Sequence, residues 1–202
     1  MSKERPARNA EATKERILKA ALAEFSAHGI AGGRVDRIAR AARCNKNLIY
    51  IYFQDKENLF KTVLLRNLMR IHEERPFTPN DLANYAASVF DWARANPDLM
   101  RLLAWSALEQ KPEARAERVA AFRTKVAAVT EAQQAGNVGT GFRPDFLLVV
   151  LMSLATAWSV ASPFAPPVDP KATADALRES IIQAVQLLAS AEDGLPKRTK
   201  SP

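Results

Sequence analysis

Apolar residues recur at spacings of three and four along most of the chain, and proline and glycine cut the pattern into helix-sized lengths. At 13–28, Ile17, Leu18, Ala21, Leu22 and Phe25 form one stripe, with Thr13 as the expected N-cap, Arg16 where a capping-box Glu would sit, and Gly29 as the stop. A short second helix is predicted at 35–43, with Val35, Ile38, Ala39 and Ala42 on one side. After a short break, Asn45 suits an N-cap, and 46–53 reads as a third helix whose Ile49 and Phe53 point inward. Asp55 or its neighbour opens a fourth at 56–74, which Pro76 ends.

Five more helices are predicted at about 81–95, 97–110, 112–135, 144–162 and 170–191. Pro97, Pro112, Pro144 and Pro170 fall in first turns, where the missing N–H has no intrahelical partner to lose. The GNVGTG stretch at 136–141 reads as a loop. Strand-like runs are few and no internal repeat is visible, so the expected class is all-α with about nine helices.

Composition narrows the possibilities. With 48% hydrophobic and 25% charged residues the chain has a globular balance, which excludes collagen-like, fibrous and disordered classes. The single cysteine, Cys44, cannot close an internal disulfide. Residues 1–16 are polar, without the apolar run of a secretory leader, so a reducing cytoplasm is expected. The longest uncharged stretch, 146–168, is interrupted by Pro163, Pro166 and Pro167, leaving 17 helical residues that include Ser153, Thr156, Ser159 and Ser162. That is the lower limit for a bilayer crossing, and a buried helix is the better reading. No membrane partner is expected.

Charge is distributed unevenly. The net +7 lies wholly in residues 1–75, which carry 16 basic and 9 acidic side chains, and the remainder is neutral. A basic module that meets a polyanion, joined to a neutral module with another task, is implied. Three short helices within about 40 residues, the last two joined by a tight turn, are the layout of a helix-turn-helix DNA reader. Such a reader needs a third helix that is apolar inside and polar or basic outside. Lys46 and Asn47 fall on its first turn, with Tyr50 one turn later. Lysine can donate to guanine O6 and N7 or to phosphate, and the Asn amide can pair both ways with adenine.

Residues 13–60 resemble the DNA-binding domain of a TetR-family transcriptional repressor, through RILKAALAEF at 16–25, the turn at Gly29, V-x-x-I-A at 35–39, NKNLIYIYF at 45–53 and DKENLF at 55–60. The resemblance implies that Lys46, Asn47, Leu48 and Tyr50 face the groove, and that Tyr50, Tyr52 and Lys56 contact phosphate. Lys56 also makes sense by itself, since a lysine at a helix N-terminus suits an anion. The sequence departs from the family pattern at Gly33 and Arg34, where a capping Ser or Thr is common, at Asp36, where a basic residue is common, and at Ile51, which replaces a His or aromatic. Arg34 is the candidate to supply a phosphate contact in place of the missing one. Phe53 is read as core, Arg37, Arg40 and Arg43 as a solvated face that raises the local potential, and Cys44 as a small buried hydrophobe rather than a redox sensor.

The resemblance further implies a helical carboxy-terminal half that pairs as a homodimer and encloses a small-molecule effector. The expected division is an arm at 1–12, a reader at 13–60, a ligand-binding and dimerisation domain at 61–192 and a disordered tail at 193–202. Phe90, Trp92, Met100, Trp105, Phe122, Met152 and Trp158 are large apolar side chains on different predicted helices. Trp92, Trp105, Phe122, Met152 and Trp158 are the candidate pocket lining, with Ser106, Gln110, Ser153 or Thr156 as polar groups, and an apolar or aromatic effector fits them. The helix at 144–162 is apolar nearly all round, and Ile181, Ile182, Val185, Leu187 and Leu188 give the last helix an apolar face. Leu147, Leu151, Leu154, Ile181, Val185 and Leu188 are the expected dimer contacts, two helices per subunit forming a four-helix bundle.

His28, His72 and Cys44 lie too far apart for a metal site, and no metal or other cofactor is expected. Phosphate-loop, dinucleotide, zinc-protease and nucleophile-elbow motifs are absent, which argues against an enzyme. The alternative is a helical adaptor whose basic region binds RNA or anionic membrane.

Overall fold

A computed structural model describes residues 4–109, 112–162 and 172–190. Among these residues every regular element is an α-helix: α1 (Glu4–Gly32), α2 (Val35–Ala41), α3 (Lys46–Phe53), α4 (Lys56–Glu74), α5 (Leu82–Ala95), α6 (Pro97–Leu108), α7 (Pro112–Gln134), α8 (Pro144–Thr156) and α9 (Ala172–Ala189). The expectations for Gln110, for a helix start at Pro170, and for the tail at 193–202 fall outside the described residues. The helices form two compact units, one of α1 to α4 with α6, the other of α5 with α7, α8 and α9.

In the first unit α1 is the spine, and α2, α4 and α6 all pack on it. The stripe predicted at 13–28 is the reason: Ile17, Ala21 and Phe25 are fully buried, and the Phe25 ring meets Phe60 of α4 edge to face at 5.3 Å. Burying a side chain the size of Ile17 or Phe25 contributes about 1.5–3 kcal/mol.

One expectation for α1 changes. The helix does not start at Thr13 but reaches back to Glu4, through residues 4–12 read from sequence as an arm; alanine, arginine and glutamate there are strong helix formers. Thr13 lies inside the helix, and its hydroxyl donates to the Asn9 carbonyl at 2.8 Å instead of capping a helix start. At the other end Gly29 adopts φ 66° and ψ −174°, so the regular helix stops there as its position predicts, and a further helical turn runs on to Gly32 beyond the kink. Positive φ alone favours glycine at this point. A Cβ would also lie 2.5 Å from Glu109 Oε1 and 2.9 Å from the Trp105 ring, both on the α6 side.

In the second unit α5 packs on α8 and α9, and α7 on α8. Its core joins Leu82, Ala86, Val89, Phe90, Val129, Leu147, Leu151, Ile181 and Val185, with Met152, Leu154, Trp158, Ile182 and Leu188 partly buried against it. The loop after α7 turns at Gly136, where φ is +76°, and is fastened by the Gln133 amide, which donates to the Gly139 carbonyl at 2.7 Å and to the Phe142 carbonyl at 2.9 Å. Expected helix ends shift by a few residues. The largest shift in this unit is in α8, which stops at Thr156 and gives way to tight turns through Ser159 and Ser162 instead of running to 162. Pro163 disfavours helical geometry at the residue before it, and the Thr156 hydroxyl bonds back to Met152. Among the described residues no helix is long and apolar enough to cross a membrane.

Candidate nucleic-acid interface

The tight turn between α2 and α3 is built by backbone. The Cys44 N–H donates to the Ala39 carbonyl at 3.0 Å, Arg43 takes a left-handed φ of 52°, and Arg16 of α1 donates through Nε to the Ala42 carbonyl at 3.1 Å. Asn45 then caps α3 as its sequence position predicts, its Oδ1 accepting from the Asn47 N–H at 2.8 Å. Ile49 and Phe53 face inward and are buried, which fixes the rotation of the short helix. The same rotation leaves Lys46, Asn47, Tyr50 and Ile51 exposed, Tyr50 at 42% and Ile51 at 70%, with Leu48 half-buried.

The residues around α3 divide into engaged and open. Lys46 Nζ pairs with Asp36 Oδ1 at 2.8 Å and lies 6.0 Å from the centre of the Tyr50 ring. Tyr52 is half-buried, edge to face with Phe53 and 5.5 Å from Lys14 Nζ, a supporting position more than an open one. Arg34 is exposed, and its backbone N–H is held by Glu24 Oε1 at 2.8 Å. Lys56 reaches the Gly33 carbonyl at 3.4 Å, a long contact, at the start of α4. That helix start already has a carboxylate of its own, since Asp55 Oδ1 accepts from the Asn58 N–H at 2.7 Å.

The departure at Gly33 has a packing cause. A Cβ on residue 33 would sit 2.7 Å from the Phe25 ring and 2.9 Å from the Gly29 carbonyl oxygen, so only glycine fits. α2 starts at Val35, and its N-cap residue Arg34 makes no side-chain cap hydrogen bond. Glu24 organises the entry instead: it accepts from the Arg34 N–H and from Arg37 Nε, both at 2.8 Å, while Arg37 also donates to the Gly32 carbonyl. Arg37 is thus a structural tie, where sequence suggested only a solvated face.

Protonation follows the same partners. Hydrogen bonding from Lys46 holds the Asp36 carboxyl below its ordinary value, and the same bond raises the Lys46 ammonium. Burial pushes the Glu24 carboxyl upward, but the hydrogen bonds from Arg37 and Arg34 outweigh it and the group sits low. Burial raises the Cys44 thiol, with nearby Arg16 opposing, so the protonated form is favoured, as for an inert thiol. Among the described residues no cluster of His, Cys, Asp and Glu is arranged to hold a metal.

The candidate effector residues divide between the two units. Trp105 belongs to the first unit, where its Nε1 donates to the Ser26 carbonyl at 3.2 Å. Trp92 is buried on α5, Met152 and Trp158 pack against the second unit's core, and Phe122 is exposed on α7. The candidate dimer residues divide as well. Leu147, Leu151, Ile181 and Val185 are completely buried inside one chain, and Leu154 and Leu188 are partly so. The apolar side chains that α8 and α9 leave outside are Phe146, Val149 and Leu187, the last 79% exposed.

Comparison with known proteins bears on both units. Residues 17–63 match the family described as bacterial regulatory proteins, tetR family, and residues 81–186 match the tetracyclin repressor-like C-terminal domain. A Streptomyces coelicolor protein named HTH-type transcriptional repressor SCO4008 is 39% identical over 187 residues, covering 89% of this chain and 96% of its own length. The chain belongs to the TetR family of transcriptional regulators.

A second TetR-type relative, the HTH-type transcriptional repressor NicS of Pseudomonas putida, is 34% identical over 116 residues, which is 54% of this chain and 55% of the relative. The solved structure of the Streptomyces coelicolor protein SCO4942 superposes with a TM-score of 0.76 at 34% identity, covering 89% of this chain and 99% of that one. The all-α fold and the helix-turn-helix read from sequence are those of this family, which is regulatory and not enzymatic. Two features of this TetR-family chain escaped sequence reasoning: the Glu24 hub and the pairing of Lys46 with Asp36. Each joins residues at least ten apart across a turn, and no periodicity signals that.

Proposed function

We propose that this regulator is a homodimeric repressor that binds a near-palindromic operator in the cytoplasm and is released from it by a small molecule. The observation that carries the DNA side is the two-faced α3: Asn45 caps it, Ile49 and Phe53 anchor it, and Lys46, Asn47 and Tyr50 remain exposed. Under this reading Lys46, Asn47, Leu48 and Tyr50 meet base edges, with Arg34, Tyr50, Tyr52 and Lys56 on phosphates. Phe146, Val149 and Leu187 supply the apolar contact across the dimer axis, resting on the buried leucines beneath them.

Met152 and Trp158, with Trp92 and Phe122, remain the candidates for an apolar or aromatic effector, whereas Trp105 is assigned to holding α6 against α1. Release requires that the effector bind one dimer arrangement better than the other, so that the two α3 helices no longer match the groove spacing. The test is selection of bound duplexes from a randomised DNA pool, followed by titration of the selected duplex, a random duplex and anionic vesicles across a salt series. Binding to the selected duplex at least about a thousandfold tighter than to random DNA is expected. Equal affinity for all three would favour an electrostatic adaptor and overturn the proposal.

A further inference from the structure

From residue 25 to residue 54 the sequence carries five cationic side chains, Arg34, Arg37, Arg40, Arg43 and Lys46, and a single carboxylate, Asp36. An isolated acid is out of place on a surface meant to approach phosphates, because like charge opposes the approach. Asp36 is nonetheless 67% exposed, and it holds Lys46 Nζ at 2.8 Å across the turn between α2 and α3. The Tyr50 ring flanks the same ammonium from α3.

Resting on the DNA-binding reading above, we infer that Asp36 is a specificity-determining residue that positions Lys46 for a guanine and keeps it from the phosphate backbone. A free lysine is a flexible point charge that serves any phosphate. An ammonium has three donors, and Asp36 occupies one. Two remain, and guanine offers two acceptors in the major groove, O6 and N7. Moving Nζ to a phosphate would either break the pair or draw the Asp36 carboxylate toward a second anion. The pair therefore favours a G·C base pair at one position of each half-site and weakens attachment to DNA of arbitrary sequence.

The experiment compares the unsubstituted protein with Asp36→Asn, Lys46→Met and the double variant. Each is titrated with the duplex recovered by selection, with single base-pair changes in that duplex, and with random DNA over a salt series. Asp36→Asn is expected to bind random DNA more tightly, with a salt slope steeper by about one phosphate contact. Its preference for G·C at one position should fall about tenfold, within what a single bidentate base contact supplies. Lys46→Met should lose the same preference, and adding Asp36→Asn to it should change that position no further. Helical circular dichroism should be the same in all four proteins, because both side chains are exposed.

If Asp36→Asn shifts every duplex by one common factor, or if its effect on base preference persists without Lys46, the positioning role is wrong. If the unsubstituted protein selects no duplex at all, the DNA-binding reading itself fails, which is a separate result.

Discussion

The indole of Trp105 lies against the backbone of Gly29 at the kink of α1, so close that a Cβ on Gly29 would come within 2.9 Å of the ring. The same helix end sends Glu109 Oε2 to accept from the Ile30 N–H at 2.8 Å, satisfying a donor that the kink frees from the helical ladder. α6 is thus fastened to the reader unit at the one place where α1 departs from helical geometry. Gly29→Ala should cost about 1–3 kcal/mol from the left-handed backbone conformation, with the clash adding to it. Denaturant unfolding checks this; unchanged stability would mean that the kink relaxes freely.

Glu24 should make stability depend on acidity. Its carboxyl is held below the ordinary value of 4.5, so its contribution is complete above that pH and is lost as the pH falls through the folded-state value. Glu24→Gln should cost about 1–3 kcal/mol near neutrality, as for a charged hydrogen bond left unmade. The gap between variant and unsubstituted protein should close on acidification. A gap that stays constant down to strongly acid pH would contradict the role.

Lys56 and Asn47 should behave differently on DNA. Lys56→Ala should weaken binding to every sequence and lower the salt slope by about one, whereas Asn47→Ala should cost roughly 1–3 kcal/mol on the selected duplex and relax the choice at one base pair. Equal losses on selected and random duplex for Asn47→Ala would remove it from base reading.

The dimer surface separates by burial. Val149→Arg and Leu187→Arg introduce charge at exposed positions and should yield folded monomers, whereas Leu147→Arg places a charge in the core of one chain and should unfold it. Sedimentation combined with circular dichroism distinguishes the two outcomes. Val149→Arg and Leu187→Arg proteins that remain dimeric would place the interface elsewhere.

The helices themselves were legible because their stripes, caps and first-turn prolines are local signals: Asn45 caps α3, and Ile49 and Phe53 turn it, as their spacing predicts. What periodicity cannot give is which of several apolar faces meets which neighbour. Leu147 and Leu151 read as dimer contacts, and they are buried in the core of a single chain. A large aromatic on a helix likewise carries no record of its hydrogen-bond partner, which for Trp105 is the Ser26 carbonyl. Gly33 broke the family pattern for a reason visible only in three dimensions, the Phe25 ring against its backbone.

The most direct test of the account is chemical protection of the selected duplex by the unsubstituted protein, read at guanine N7 in the major groove and adenine N3 in the minor groove. The account predicts protected N7 positions in two clusters centred about 10 base pairs, one helical turn, apart or a multiple of that, weakened at single positions by Lys46→Met. Protection confined to adenine N3, or a single cluster without a symmetry mate, would contradict a pair of α3 helices in the major groove.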